Sequence, residues 1–211
     1  MKAQITGVNR IFLLSPASTG GRRARLLLSD RASFPLAQAV RSPGGAPLGE
    51  TFAFLSGLYF RGKLAYARAF ANPPRGIDGV FVITASRGLL TPETPISLSD
   101  LAEFASVPID LSEERYRLPL QRETALLARS IGDRCEVVLL GSVATDKYVS
   151  ILTSAFGNRL RFPAEFVGRG DMSRGGLMLR CADDRTELTY IPVAGAERHG
   201  ARPPKLEKRR T

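Results

Sequence analysis

Residues 135–152 read CEVVLLGSVATDKYVSIL and contain, in order, an apolar run, a glycine turn and a helical segment. A short run that is apolar at nearly every position is typical of a parallel strand buried on both faces. Two other stretches have the same pattern, Arg10–Ser15 (RIFLLS) and Gly79–Thr84 (GVFVIT). Three strand-then-helix units predict an α/β fold with a mainly parallel central sheet flanked by helices.

The segments that follow the strands are predicted to be helical. Glu50–Ala71 has helical periodicity, and Gln121–Ile131 has one apolar face. After the third strand, Thr145 or Asp146 is a natural N-cap for a helix that runs to Phe156.

The C-terminal part of the chain has a different pattern. Leu177–Cys181 and Glu187–Val193 are predicted to form a β-hairpin appended to the sheet. The last residues, 195–211, are rich in proline, glycine and charge, and they predict a disordered basic tail. We therefore expect a single domain over residues 1–194 followed by this tail.

Composition excludes several classes of enzyme. The 211 residues contain one histidine, His199, and two cysteines, Cys135 and Cys181, which are far from a metal-binding spacing. This argues against histidine-dependent serine triads and most zinc enzymes, and we expect neither metal nor cofactor. The apolar run at Ile11–Leu14 is too short for a signal sequence or a membrane span, so we predict a cytoplasmic protein without a membrane partner.

The net charge of +10 is unevenly distributed. Residues 1–75 carry a net +9, residues 76–194 a net −3, and the tail a net +4. A positive surface of this kind attracts polyanions, of which nucleic acid is the commonest in the cytoplasm. The alternative is compositional, because 25 arginines against five lysines are also what a GC-rich genome produces.

Three loops are predicted to meet at one edge of the sheet. Ligands of open α/β sheets bind beyond the carboxyl ends of the strands, which selects Ser15–Gly21, Ser86–Thr91 and Gly141–Asp146. The first loop has the hydroxyls of Ser15 and Ser18 beside two glycines, with Arg22 and Arg23 directly after, a composition that suits an anion. It lacks the spacing of a P-loop or a dinucleotide fingerprint, and a plain strand-to-helix turn is the alternative.

An aromatic stripe surrounds one lysine in the predicted central helix. Tyr59, Lys63, Tyr66 and Phe70 recur at helical spacing. Such a stripe can stack a nucleobase while the ammonium meets an anion, although aromatic stripes at this spacing are also typical of a core. Further polar candidates are Asp146 and the glycine-rich segment 168–176, in which Arg169 and Arg174 can bind phosphate or lie in an exposed loop.

Four segments together resemble the YaaA peroxide-stress family and the small YaaA-like domains of unknown function related to it. They are, in chain order, FLLSPAST (12–19), LYFRGKLAYARAFA (58–71), VFVITASRGLLTPETPI (80–96) and VVLLGSVATDKYVSIL (137–152). The likeness covers roughly residues 10–152. It implies an α/β protein that binds DNA and protects it under oxidative stress, and it draws attention to Ser15, Tyr59, Lys63, Ser86, Gly88, Gly141 and Tyr148.

We therefore expect a protein that binds nucleic acid, foremost DNA, or a nucleotide or nucleobase. The expected contacts are Ser15, Ser18, Arg22, Arg23, Tyr59, Tyr66, Ser86, Arg87, Gly141, Tyr148, Arg169 and Arg174. The first alternative is an enzyme acting on a nucleoside or N-glycosidic bond, with Lys63 or Asp146 as nucleophile or base. The second alternative is a basic scaffold that meets its partners through the tail.

Overall fold

The computed structural model describes residues 8–196, 200–204 and 206, which form eight α-helices and eight β-strands. The strands are β1 (Arg10–Leu14), β2 (Ala46–Pro47), β3 (Val80–Ile83), β4 (Leu89–Leu90), β5 (Pro95–Ile96), β6 (Glu136–Leu140), β7 (Leu160–Pro163) and β8 (Tyr190–Pro192). The helices are α1 (Arg22–Leu28), α2 (Pro35–Arg41), α3 (Leu48–Ser56), α4 (Leu58–Phe70), α5 (Leu98–Ser106), α6 (Glu114–Ser130), α7 (Val149–Phe156) and α8 (Asp171–Asp184). Two short 3₁₀ turns, Gly157–Arg159 and Ala164–Phe166, flank β7.

Six strands form one sheet in the order β4-β3-β1-β6-β7-β8. The four central strands are parallel, and the two edge strands, β4 and β8, are antiparallel to their neighbours. β2 and β5 form a separate two-stranded ribbon. The expected α/β fold with a mainly parallel sheet is confirmed, because the three apolar runs are β1, β3 and β6 at the centre of the sheet.

Helices cover both faces of the sheet. The chain leaves β1 toward β3 on one side and leaves β6 toward β7 on the other, and right-handed crossovers in opposite directions place their helices on opposite faces. α4 packs on α8 and on β1, whereas α6 packs on α7. The connections therefore leave β1 and β6 in opposite directions, and the position between these two strands is the topological switch point.

The predicted helix over Glu50–Ala71 is two helices in the structure. Gly57 separates α3 from α4 and has a φ of +62°, a conformation that favours glycine. The helix after β6 starts later than predicted, with Tyr148 as its N-cap residue. Asp146 nevertheless contributes to this turn, because its Oδ1 accepts a hydrogen bond from the Ser150 N–H at 2.8 Å.

The predicted C-terminal hairpin is wrong in one of its two strands. Leu177–Cys181 lies inside α8, which begins at Asp171 and buries Gly175 and Met178. Part of the second predicted strand is present as β8, and its partner is β7, with Phe162 opposite Ile191. The segment is helical because Gly175 of α8 packs closely on Gly62 of α4. A Cβ on Gly175 would lie 2.7 Å from the carbonyl oxygen of Leu58 in α4.

The described part of the tail lies along the start of α8. Residues 200–204 and 206 are in neither helix nor strand, and Arg169 Nη1 donates to the Pro204 carbonyl at 3.4 Å. His199 and the tail residues 197, 198, 205 and 207–211 lie outside the described residues. Across the described part of the chain, no helix has both the length and the apolar character needed to cross a membrane.

Candidate functional site

A cavity of about 500 Å³ opens where the loops after β1 and β6 meet. We call it the switch-point cavity, because it lies beyond the carboxyl ends of the two strands at which the sheet diverges. Its lining combines hydroxyl, aromatic, aliphatic and charged side chains: Ser15, Pro16, Ala17, Ser18, Thr19, Gly20, Ser56, Tyr59, Phe104, Ala105, Val107, Ile109, Ser142, Thr145, Lys147, Tyr148 and Asp171. Its size is within the range of small-molecule sites.

Close contact between the two loops depends on Gly141. A Cβ at this position would lie 2.8 Å from both the Ser15 Cβ and the Tyr148 hydroxyl oxygen. The Tyr148 hydroxyl donates to the Ser142 carbonyl at 3.0 Å and accepts from the Ser142 N–H at 3.1 Å. Burial raises the pKa of Tyr148, so this hydroxyl stays protonated. The end of β6 is thus fixed against Ser15 by one tyrosine.

Lys63 lies behind the cavity wall with no exposed surface. Its Nζ donates to the Ser15 carbonyl at 2.6 Å and to the Ser15 Oγ at 3.0 Å. The same nitrogen lies 4.5 Å from the centroid of the Tyr59 ring and 4.7 Å from that of Phe60. Burial lowers the pKa of Lys63 to about 7, and the Asp171 carboxylate acts in the opposite direction. Lysines that act in catalysis or binding are often buried beside a cavity and have a pKa lowered toward neutral pH.

The Tyr59 hydroxyl is buried beneath the wall of the cavity. Its side chain is 8% exposed, and its oxygen makes no hydrogen bond with the described residues. Burial raises the pKa of Tyr59, and the nearby Arg174 guanidinium acts in the opposite direction. The Tyr59 ring therefore lines the cavity, while its hydroxyl lies near the Arg174 guanidinium and away from the cavity surface.

Asp171 supplies a carboxylate that sequence reasoning missed. It is the first residue of α8 and lines the cavity, with 67% of its side chain exposed. Its negative charge raises the pKa values of Tyr59, Lys63 and Tyr148. The pattern of the glycine-rich segment 168–176 predicts a phosphate-binding or exposed loop. An acidic residue directly after Gly170 is also typical of the first turn of a helix, and this signal could have identified Asp171.

The aromatic stripe of α4 is divided between the cavity and the core. Tyr59 and Lys63 are at the cavity end of the helix. Tyr66 lies in the core, where its hydroxyl accepts from the Leu188 N–H at 2.8 Å and hydrogen-bonds to the Tyr190 hydroxyl at 2.6 Å. The structure therefore places Tyr66 away from the cavity.

The loop after β3 does not line the cavity. Ser86 donates to the Glu103 carboxylate, and Arg87 pairs with both Asp100 and Glu103. These contacts hold α5, which presents Phe104 to the cavity. Ser86 and Arg87 thus support a wall of the cavity from outside it.

The arginines expected at the site are also outside the lining. Arg22 is exposed on α1, and Arg23 donates to the Phe54 carbonyl at 3.4 Å. Arg174 donates to the Phe166 carbonyl at 2.9 Å and lies 3.7 Å from the Asp171 carboxylate. Arg169 contacts Ser173 and the tail.

Asp146, the second expected catalytic residue, lies between the lining residues Thr145 and Lys147 but is not part of the lining. Within the described residues, no group of three or more His, Cys, Asp or Glu side chains could hold a metal ion. The polar side chains of the lining residues carry hydroxyls, the ammonium of Lys147 and the carboxylate of Asp171.

No protein-family model, curated protein or solved structure matches this chain. The resemblance to the YaaA family accordingly stays a prediction based on the four quoted segments.

Proposed function

We propose that this protein binds nucleic acid or a nucleotide and holds a nucleobase in the switch-point cavity. The observation that supports this most strongly is the convergence of two strand-end loops on a 500 Å³ space with aromatic and hydroxyl lining at the switch point. Nucleotide ligands of open α/β sheets occupy this position.

The polar groups of the cavity suit the edge of a base. The Ser18 and Thr19 hydroxyls can donate or accept a hydrogen bond, and the Asp171 carboxylate can only accept. Every nucleobase presents a donor and an acceptor side by side on one edge. The aromatic rings of Tyr59, Phe104 and Tyr148 supply the apolar surface that a planar base needs.

The charge near the cavity suits a phosphate-bearing ligand. Arg22, Arg23 and Arg25 are exposed on α1, which follows the lining loop directly. Lys147 contributes a positive charge to the lining itself. From the sequence alone, we also propose that the protein is cytoplasmic and that it protects DNA under oxidative stress.

The test is a titration with nucleoside monophosphates and with fluorescently labelled single-stranded and duplex DNA. Asp171→Asn replaces the carboxylate with a neutral amide and is expected to weaken binding about tenfold, because the charge-assisted hydrogen bond, worth about 1.5–3 kcal/mol, is lost. Asp133→Asn is the matched control, since Asp133 is exposed in the turn before β6, at the opposite end of that strand. Equal loss in both variants, or no binding by the parent, would refute the proposal.

A second candidate function is hydrolysis of an N-glycosidic bond. It is favoured by the exposed Asp171 carboxylate in the same cavity, because a carboxylate can act as general base toward water. Release of free base from a labelled oligonucleotide tests this function. Stable binding without base release would leave the binding function and exclude the reaction.

A further inference from the structure

Ser15 and Lys63 have the geometry of a nucleophile and its base. The Ser15 Oγ lies 3.0 Å from the Lys63 Nζ, at the end of β1 where Ser15 lines the switch-point cavity. A serine hydroxyl becomes a useful nucleophile when an adjacent base within about 2.6–3.2 Å takes its proton. The scarcity of histidine does not exclude this chemistry, since serine–lysine pairs serve the same role.

We propose that Ser15 and Lys63 form a serine–lysine pair that hydrolyses carboxylic esters in the switch-point cavity. This activity goes beyond the proposed binding of a nucleobase and does not depend on it. The class of substrate follows from the lining, because Ala17, Phe104, Val107 and Ile109 suit a small uncharged acyl group.

The surroundings of Lys63 favour the neutral amine that a base requires. The side chain is fully buried, and its nearest rings are those of Tyr59 and Phe60. In the neutral form, one N–H still donates to the Ser15 carbonyl, and the lone pair is free to accept the Ser15 hydroxyl proton across the 3.0 Å between Nζ and Oγ. The lowered pKa of Lys63 agrees with this arrangement.

The reaction balances with water as its only co-reactant. Lys63 Nζ takes the proton of Ser15 Oγ, which attacks the ester carbonyl carbon. The bond to the alcohol breaks, and Lys63 returns the proton to the leaving alkoxide, which leaves an acyl group on Ser15. Water then attacks the acyl carbon, Lys63 relays its proton to Ser15 Oγ, and the carboxylic acid leaves.

Donors for the developing oxyanion lie in the same loop. The backbone N–H groups of residues 17–20 donate no hydrogen bond to any residue that the structure describes. These residues line the cavity directly after Ser15. Backbone N–H groups near a nucleophile are the usual stabilisers of a tetrahedral intermediate.

The experiment is labelling with an alkyl fluorophosphonate, in which a serine oxygen displaces fluoride from phosphorus. Intact-mass analysis and peptide mapping are expected to find one phosphonyl group, on Ser15. Ser15→Ala should remove the adduct, and Lys63→Met should slow its formation about 100-fold or more, as expected for loss of a general base. Ser106→Ala changes an exposed serine at the end of α5 and should leave the rate unchanged.

The unmodified chain provides a test that does not depend on the folding of variants. Its labelling rate should rise as the pH passes through about 7 and then level off, because only neutral Lys63 accepts the proton. 4-Nitrophenyl acetate should acetylate the same residue with release of nitrophenolate. An adduct on another residue, no adduct, or wild-type labelling by folded Lys63→Met would overturn the proposal, while the binding of nucleotides is measured separately.

Discussion

Replacing Lys63 with methionine is expected to change how the stability of the protein depends on pH. Burial lowers the pKa of Lys63 from 10.5 to about 7, so the unfolded chain binds a proton more tightly than the folded one. At 1.36 kcal/mol for each pKa unit, this difference corresponds to at most about 5 kcal/mol. Below pH 7 the folded protein is destabilised by this full amount. The destabilisation disappears progressively as the pH rises from 7 to 10.5.

Methionine keeps the length of the side chain and removes the titrating nitrogen. It also leaves the Ser15 carbonyl without its hydrogen bond from Nζ, which costs about 1–3 kcal/mol at any pH. The wild-type protein should therefore gain stability relative to Lys63→Met as the pH rises, by about 2–3 kcal/mol between pH 7 and pH 9.

Urea unfolding followed by circular dichroism at several pH values measures this difference. All other titrating groups are shared by the two proteins, so their effects cancel in the comparison. If the difference in unfolding free energy is constant from pH 7 to pH 9, the Lys63 ammonium is solvated or paired in the folded protein and the reasoning is refuted.

Three further predictions follow from single contacts and from charge. Gly62→Ala should destabilise the protein by about 1–3 kcal/mol in thermal unfolding, because the new Cβ would lie 2.5 Å from the Gly175 carbonyl oxygen. Gly44→Ala is the control and should leave the stability unchanged, since its Cβ would meet only Ser42 Oγ at 4.0 Å. Arg87→Gln should raise the pKa of Glu103 in an NMR titration, since the Arg87 guanidinium lowers it, and the accompanying loss of stability should be under about 1 kcal/mol and disappear at acidic pH. The affinity for duplex DNA should fall with salt at a log–log slope of about −0.9 for each neutralised phosphate, and a flat response would argue against phosphate contacts.

The centre of the sheet was predictable because its strands are apolar on both faces. Arg10–Ser15 and Cys135–Leu140 are each within one residue of the observed strand at both ends. The helical pattern of Glu50–Ala71 was also predicted, but periodicity continues across Gly57 and does not reveal that the chain bends there.

The C-terminal error has a physical cause. The run at Leu177–Cys181 is apolar apart from Arg180 and follows two glycines, which favours a strand when only neighbouring residues are considered. The first of these glycines, Gly175, in fact lets α8 approach α4 closely, because it lies against the backbone of Leu58. A contact between residues more than a hundred positions apart decides this segment.

The candidate site was predicted in part. The loops at Ser15 and Gly141 were expected to meet from the rule for strand ends, and the structure brings them together. The contact between Ser15 and Lys63 was not expected, because it depends on how α4 packs against the end of β1. Ser86 and Arg87 follow a neighbouring strand, yet the hydrogen bond of Ser86 and the ion pairs of Arg87 with α5 direct them away from the cavity.

The most direct test of the central claim is a crystal structure of the protein with a bound nucleoside monophosphate. The base is expected between the loops at residues 15–20 and 142–148, with the Asp171 carboxylate and the hydroxyl of Ser18 or Thr19 in hydrogen-bond contact with its edge. A nucleotide bound at another place, with the switch-point cavity unchanged, would contradict the claim.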